Sequence, residues 1–523
     1  MEFLEGKTVG IDLGTTFSTL AIVNEQGEPT PIPNEDDDVE TASLILLAEN
    51  RHVIVGPNRS RAAMEDPENV IERIKRQMGT VGYHRQFDGH EITPEFVSSL
   101  ILRKLKQDSE RVIGPIANAV ITVPYYFNDT RRKSTQDAGR IAGLNVISII
   151  NEPTAAALTY AWHRGELGRT ESSAKHRILI YDLGGGTFDS TVVEYNATNF
   201  HVVSTDGDVK LGGVDWNDRL ADYVCEKFKE KHGVNLQQFP KTMQILRNDC
   251  DVAKIQLTTR EQTTITCRHE GMSVSVPITR QLFEELTYDL LQRTADTTEY
   301  VIQQANLKFS DLDAVVMIGG STLMPQVPAM LERVTGLVPY RNPDLDPHTA
   351  VARGAAIHAA ILEAQHNQNT KLDERVRKML VNVREEDVNS HGLGIVAADK
   401  NKQPINHIMI PRNTTLPFSI SKTFQTTKDG QTRISVQVME GDAPDPTACA
   451  LLGKCRIVGL PENMPKGTPV EVTYSFDKVG RISVSAREKL TNKEANIEIE
   501  RRGVLTEAEV EKFIRLADEY SIE

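Results

Sequence analysis

The sequence predicts a duplicated α/β domain, then an antiparallel β-sandwich, then one short C-terminal helix. Three observations carry this prediction. Up to residue 364, short apolar runs alternate with helical stretches, the signature of layered α/β architecture. Within that region one motif of strand, glycine turn and strand occurs twice. From Asp387 to Glu500 the hydrophobic period falls to two, as in strands with one buried face.

The first copy of the motif runs from Val9 to Ser18 and contains Asp12-Leu13-Gly14-Thr15-Thr16. The second runs from Ile178 to Asp189 and contains Asp182-Leu183-Gly184-Gly185-Gly186-Thr187. Each copy precedes a later apolar strand ending in a turn, Ala119 to Pro124 in one and Ala314 to Gly320 in the other. Each half also carries a helix of small residues, around Thr154 to Ala157 and Thr349 to Ala356, whose lack of bulk permits close packing. Two similar halves facing each other across a cleft are expected over residues 1–364. Residues 365–386, rich in Asn, Gln, Lys, Arg and Glu, read as a linker with one helical stretch. In 387–502, Ile434, Val436 and Val438 alternate with polar neighbours, as do Val470, Val472, Tyr474 and Phe476, then Ile482, Val484 and Ala486. Asp429-Gly430 between two such runs reads as a tight hairpin turn. In 503–523, Thr506 and Glu509 form a capping-box pattern, and Val510, Phe513, Ile514 and Ala517 follow at helical spacing. That stripe is expected to pack on the β-domain.

Composition removes several function classes. The 523 residues are 39% hydrophobic and 25% charged, ordinary for globular protein, and no run approaches the roughly 18 apolar residues of a membrane helix. The N-terminus, Met-Glu-Phe-Leu-Glu-Gly-Lys, carries acids where a secretory signal is basic, so a cytoplasmic location is expected. Five scattered cysteines without C-x-x-C pairing argue against a disulfide framework and against a zinc site. A net charge of −14 disfavours nucleic acid as a partner, because a duplex requires a concentrated basic face.

An Asp-Leu-Gly-x-x-Thr turn lets backbone N–H groups approach an anion closely and makes a concave phosphate site. A single copy reads equally well as a hairpin with a capping aspartate. Two matched copies point further, to Asp12 and Asp182 holding one hydrated Mg²⁺ from both sides while threonine hydroxyls meet phosphate. Gly6-Lys7-Thr8 lacks the upstream glycine and strand of a P-loop. The glycine runs lead into strands and not into a helix N-terminus, which disfavours a dinucleotide fold.

Together with these turns, Asn128-Asp129, Asp137 to Leu144, Ile150 to Ala157 and Gly319-Gly320-Ser321-Thr322 closely resemble the heat shock protein 70 (DnaK-type) chaperones. The resemblance continues through Ile410 to Thr415 and Val484-Ser485-Ala486, and stops at the final helix. It implies an actin-like (ribonuclease H-like) ATPase domain, ATP or ADP with Mg²⁺ as cofactors, and slow hydrolysis coupled to a peptide-binding sandwich in a monomer. Extended apolar peptides, a J-domain co-chaperone and a nucleotide exchange factor are the implied partners.

Carried over by position, the resemblance implies that Lys75 orients the γ-phosphate and the attacking water. Glu152 resembles the second carboxylate near water and metal, with a buried helix-capping role as the alternative. Asp182 and Thr187 complete the implied catalytic set; Thr15, Thr16 and Thr187 would donate hydroxyls to phosphate. Asp189 would complete the metal's outer shell, or simply cap its turn. Asp251, standing where the family has glutamate, resembles with Lys254 and Thr258 the segment that receives ribose and adenine, facing Gly319, Gly320 and Ser321. Pro124 and Arg132 would relay nucleotide state to the linker. Ile395, Phe424, Ile434 and Val436 match the peptide pocket, and read equally as β-core.

The chain also departs from the family pattern. Leu323 stands where an arginine usually stacks on adenine, which removes a cation–π contact. Asp346-Pro347-His348-Thr349 replaces Asn-Pro-Asp-Glu. Val383-Arg384-Glu385-Glu386 replaces the leucine-rich linker, with Met379-Leu380-Val381 as an upstream substitute. Ala398 replaces a methionine that arches over peptide, so a more open pocket is expected. One helix fits between Thr506 and Glu523 where the family has a lid of several, which predicts fast peptide release. Two other function classes are compatible with parts of the sequence. A small-molecule kinase of the same fold leaves the β-domain unexplained, and a nucleotide-binding holdase or exchange factor without turnover leaves the catalytic-type residues unexplained.

Overall fold

The structure is a computed structural model of the 523-residue chain and describes all residues except 1, 49, 57–68, 81, 84, 169–173, 368–369, 400, 402, 427, 459, 461, 477–481 and 498–503. The boundary expected between 502 and 503 lies outside the described residues. In the first half, strand Lys7–Asp12 turns at Gly14 into Phe17–Val23, with which it pairs antiparallel. On its other side it runs parallel to Ile116–Val123, which runs parallel to Asn145–Asn151. The second half repeats this arrangement: His176–Leu183 pairs antiparallel with Phe188–Tyr195 and parallel with Ala314–Ile318. Both central strands are buried on two faces, which is why they read as continuous apolar runs.

The small-residue helices Glu152–His163 and Ala350–His366 lie against each other and join the halves in one core. A Cβ on Gly354 would stand 1.8 Å from the Ala155 carbonyl oxygen, so the contact requires glycine. Thr159 Oγ1 donates to the Ala350 carbonyl at 2.7 Å and sets the helix register.

The segment that follows is built into this domain. Helix Glu374–Leu380 buries Val376 and Leu380 in the core of the alanine helices. Arg384–Glu386 then adds a parallel strand to Asn199–Asp208. A composition rich in charge hid three apolar anchors, Val376, Leu380 and Val383.

The β-domain is two antiparallel four-stranded sheets. One runs Pro404–Ile410, Leu393–Ala398, Arg433–Glu440, Ala450–Val458; the other runs Phe418–Gln425, Pro469–Phe476, Ile482–Glu488, Glu494–Ile497. Their inner faces share a core that includes Leu393, Val438, Tyr474 and Val484. The hairpin expected at Asp429-Gly430 does not form. Phe418–Gln425 pairs with Pro469–Phe476, whereas Arg433–Glu440 lies in the other sheet, so Asp429-Gly430 sits in a crossover. Gly430 does take a positive φ of 64°, but its N–H donates to the Met464 carbonyl at 2.8 Å. Turn chemistry specifies a reversal of direction; the faces that strands must bury choose the partner.

The C-terminal helix Glu507–Asp518 begins with the expected capping box of Thr506 and Glu509. Its docking place differs from the expectation. Val510, Phe513, Leu516 and Ala517 pack on the first half, against helices Pro94–Ile113 and Asp129–Ile141, and not on the sandwich. The Phe513 ring centroid lies 5.3 Å from that of Phe96, and Ser521–Ile522 adds a parallel strand to His52–Val55. Ion pairs from Arg140 to Glu507 and from Arg103 to Asp518 flank the contact. An amphipathic stripe states that a face must be buried, not against what; here an aromatic surface and an open strand edge take it.

Candidate active site

The two glycine turns face each other. A Cβ on Gly185 would lie 1.9 Å from Thr16 Oγ1, and one on Gly186 would lie 2.4 Å from Thr15 Cγ2. Each turn follows a buried strand, so Asp12 and Asp182 are delivered to the cleft by the end of the central strand of each half. Asp12 accepts a hydrogen bond from Thr122 Oγ1 at 2.8 Å. Lys75 comes from a short 3-10 turn, Ile74–Gln77, entered through the left-handed Arg73. Its Nζ lies 2.5 Å from Glu152 Oε1, the first residue of its helix, and both side chains are buried.

Four carboxylates, buried Glu152, Asp182 and Asp189 and half-buried Asp12, thus share the neighbourhood of one ammonium, Lys75. Burial by itself would lower the Lys75 pKa; Glu152, Asp12 and Asp182 outweigh it and leave it raised. Burial pushes Asp182 well above the usual carboxylate range, and Glu152, Asp189 and Asp12 add to the push. Burial and then Glu152 bring Asp189 to about 7. Such an excess of negative charge is costly unless protons or a cation neutralise it, so the donor set fits a divalent ion. Among the described residues no three His, Cys, Asp or Glu side chains converge as direct ligands. A Mg²⁺ ion commonly keeps several of its waters, and such an ion would meet Asp12 and Asp182 through them.

All the nucleotide-binding residues expected from the sequence, except Gly186, line one cavity of about 260 Å³ together with Lys75 and Glu152. Gly186 lies at its edge, and its carbonyl accepts from Arg76 Nε at 2.8 Å. Ser321 Oγ donates to the Gly184 carbonyl at 2.9 Å and clips the Gly184 and Gly320 turns together. At the far end Asp251 accepts from Asn217 Nδ2 at 2.7 Å and pairs with Lys254 at 2.9 Å. The Thr258 hydroxyl donates to the Ile255 carbonyl at 2.7 Å. Ile255 and Leu323 line the same end and are 58% and 49% exposed, so they form an open apolar slot.

Asp189 does not line the cavity. It stands behind it and accepts the Tyr125 N–H at 2.9 Å. The buried Tyr125 hydroxyl in turn donates to the Val388 carbonyl at 2.5 Å and accepts the Val388 N–H at 2.8 Å. Pro124 precedes this residue, and its carbonyl accepts from Phe127 N–H at 3.0 Å. Arg132 donates to the Phe127 carbonyl at 3.1 Å, bonds Asn151, and faces Asp387, which also accepts from Thr154 Oγ1 at 3.0 Å. Glu385 pairs with His358 at 2.5 Å. Ile395, Ile434 and Val436 lie in the core of the sandwich, and half-buried Phe424 packs against that core.

Sequence reasoning missed Tyr125, Arg76, Glu40 and the Asp215 that pairs with Arg76 at 2.6 Å across the cleft. Tyr125 carried a signal, since it directly follows Pro124. The others become legible only when distant segments meet.

The sequence comparisons agree with this geometry. The family model described as Hsp70 protein matches residues 8–523, hence both domains. The chain is 38% identical over 520 residues to the chaperone protein DnaK of Thermosipho africanus (strain TCF52B) and to that of Thermosipho melanesiensis (strain DSM 12029 / CIP 104789 / BI429). It is 38% identical over 521 residues to the chaperone protein DnaK of Thermotoga maritima. Each comparison covers 98% of this chain and 83% of the relative. With paired phosphate turns, a buried lysine among carboxylates and a sandwich bonded to the residue behind them, the chain belongs to the Hsp70 family of ATP-dependent chaperones, which bind ATP or ADP, generally with Mg²⁺.

Proposed function

We propose that Mg-ATP hydrolysis in the cleft controls how the β-sandwich holds extended apolar peptides. Thr15, Thr16 and Thr187 meet the phosphates with the N–H groups of Gly185 and Gly186, while the Gly14 and Gly184 N–H groups close their own turns onto Ser18 Oγ and the Thr187 carbonyl. Asp251 and Lys254 hold the ribose, and the base lies in the slot between Ile255 and Leu323. A Mg²⁺ ion at Asp12 and Asp182, with Asp189 behind, would neutralise charge on the phosphates. Lys75, fixed by Glu152, orients water toward the γ-phosphorus. Attack by water there breaks the bond to the oxygen bridging to the β-phosphate, and ADP departs with that electron pair. Because phosphoryl transfer depends mainly on positioning and charge stabilisation, these parts suit a slow timer.

One observation supports the coupling above all: a single residue, Tyr125, bonds Asp189 through its N–H and Val388 through its hydroxyl. Displacement of Asp189 on loss of the γ-phosphate then reaches the first residues of the β-domain through one rigid side chain. A J-domain protein and an exchange factor are the partner classes, and the cytoplasm the compartment, that this reading takes from the family. The test is single-turnover hydrolysis of Mg-ATP without any acceptor, with fluorescent-peptide release followed in the same sample. Hydrolysis with faster release in ATP than in ADP is expected. Hydrolysis that requires a phosphate acceptor would favour a kinase; binding without hydrolysis would favour a holdase.

A further inference from the structure

We infer that His348, held by Glu40, is a nucleotide-contacting residue whose charge sets how tightly this chain retains its nucleotide; the inference rests on the nucleotide reading of the cavity. His348 occupies the turn that opens helix Ala350–His366. Its amide N–H donates to Asp346 Oδ1 at 3.1 Å, and Thr349 Oγ1 donates to Asp346 Oδ2 at 3.1 Å, so its backbone is fixed. Its ring covers Gly320: a Cβ there would lie 2.6 Å from His348 Cε1 and 3.2 Å from Nε2. Nδ1 lies 3.1 Å from Glu40 Oε1, at the end of the acidic loop that precedes Thr41–Ala42. Glu40 and His348 both line the cavity that holds Asp12, Lys75 and Ser321. Among the described residues nothing hydrogen-bonds Nε2. The imidazole is thus gripped by one nitrogen and offers the other to whatever fills the cavity.

The chemistry of that arrangement depends on protonation. A carboxylate on Nδ1 keeps the proton there, so Nε2 of neutral imidazole accepts hydrogen bonds, while Nε2 of imidazolium donates them and brings a positive charge. A nucleotide presents anionic phosphate and ribose oxygens, which favour the donor. The Glu40 hydrogen bond raises the His348 pKa above its ordinary value; burial opposes it, and the charges of Glu40, Asp346 and Asp38 add to the rise. Glu40 and Asp38 face the ring from the acidic loop and Asp346 from its own turn, the Gly320 turn brings no charge, and Lys254 across the cavity pairs with Asp251. With the pKa raised, the cationic contact is present at lower pH and is lost as pH rises through that value, so nucleotide affinity falls with rising pH.

The experiment is ADP titration calorimetry with Mg²⁺ on the full chain from pH 6 to pH 9, for the wild type, His348→Asn and Glu40→Gln. The nucleotide's own titration is common to all three and cancels in their ratios. The ADP dissociation constant of the wild type relative to His348→Asn is expected to rise about tenfold across that range. Glu40→Gln should move the rise to lower pH. A His348→Asn protein with the wild-type pH profile, or a Glu40→Gln protein with an unmoved midpoint, would overturn the inference. Absence of ADP binding by the wild type at every pH would instead overturn the nucleotide reading itself.

Discussion

Lys75 is the residue whose removal best separates chemistry from binding. It is buried, paired with Glu152 at 2.5 Å, and surrounded by carboxylates that raise its pKa. Lys75→Ala leaves the turns and the base slot intact, so ADP affinity should change little, while single-turnover hydrolysis should fall by about two to three orders of magnitude. An unchanged single-turnover rate would remove Lys75 from the mechanism. Leu323 gives a second residue-scale test. With aliphatic Ile255 and Leu323 around the base, Leu323→Arg should tighten ADP by about 0.5–2 kcal/mol, read as a lower dissociation constant in calorimetry. No change, or a loss, would mean that the base does not lie in the slot. At this scale the sequence was most informative where one short motif carried the residue. Asp12 and Asp182 were legible because their turns are duplicated, and Lys75 because its neighbours resemble a known segment. Glu40 and its contact with His348 were not, since a carboxylate and an imidazole 308 positions apart have no local signature.

Individual elements were legible where period or residue size alone sets them. Alternating Ile434, Val436 and Val438 became Arg433–Glu440, and the alanine-rich stretches became two helices in contact. Pairing partners were less so: Asp429-Gly430 joins two sheets, and Arg384–Glu386, polar throughout, forms a strand on the edge beside Asn199–Asp208. That strand draws the sandwich onto the first half and buries Glu440 at the N-terminus of helix Asp129–Ile141, in a cavity of about 40 Å³ shared with Asp129, Arg132 and Asp387. Burial and then Asp129 push Glu440 up to about 8, from 4.5. A group whose pKa rises on docking favours the docked form fully at low pH and loses that effect as pH climbs through its docked value. Docking should therefore weaken by up to about tenfold per pH unit between roughly 4.5 and 8, which interdomain fluorescence transfer would follow. Glu440→Gln should dock more tightly near pH 8 and show a flattened profile; the wild-type slope in that variant would assign the proton elsewhere.

Across the whole molecule, the sequence marked segments of different hydrophobic period and not how they lie together. The capping box and apolar stripe of the last helix were readable, yet its partner was misjudged because the receiving surface is assembled from Phe87, Phe96 and the His52–Val55 edge, segments far apart in the chain. With that helix seated on the first half, its apolar face is spent there, and Phe513 to Ala should cost about 3–5 kcal/mol of this docking. Among the described residues, nothing in the segment from Leu505 onward shares the core of the sandwich. Seated on the first half, residues 505–523 lie away from the sandwich and do not themselves slow the departure of peptide from this 523-residue chain. Because affinity differences among related complexes appear mainly in dissociation, release of a fluorescent peptide should be fast even with ADP bound, and ATP should accelerate it only modestly. Phe513→Ala, which frees the helix from its seat, supplies the control: release with ADP should stay within about twofold of the wild type. Slow release that depends strongly on nucleotide, or release slowed by Phe513→Ala, would mean that the C-terminal segment leaves the first half and closes over the peptide.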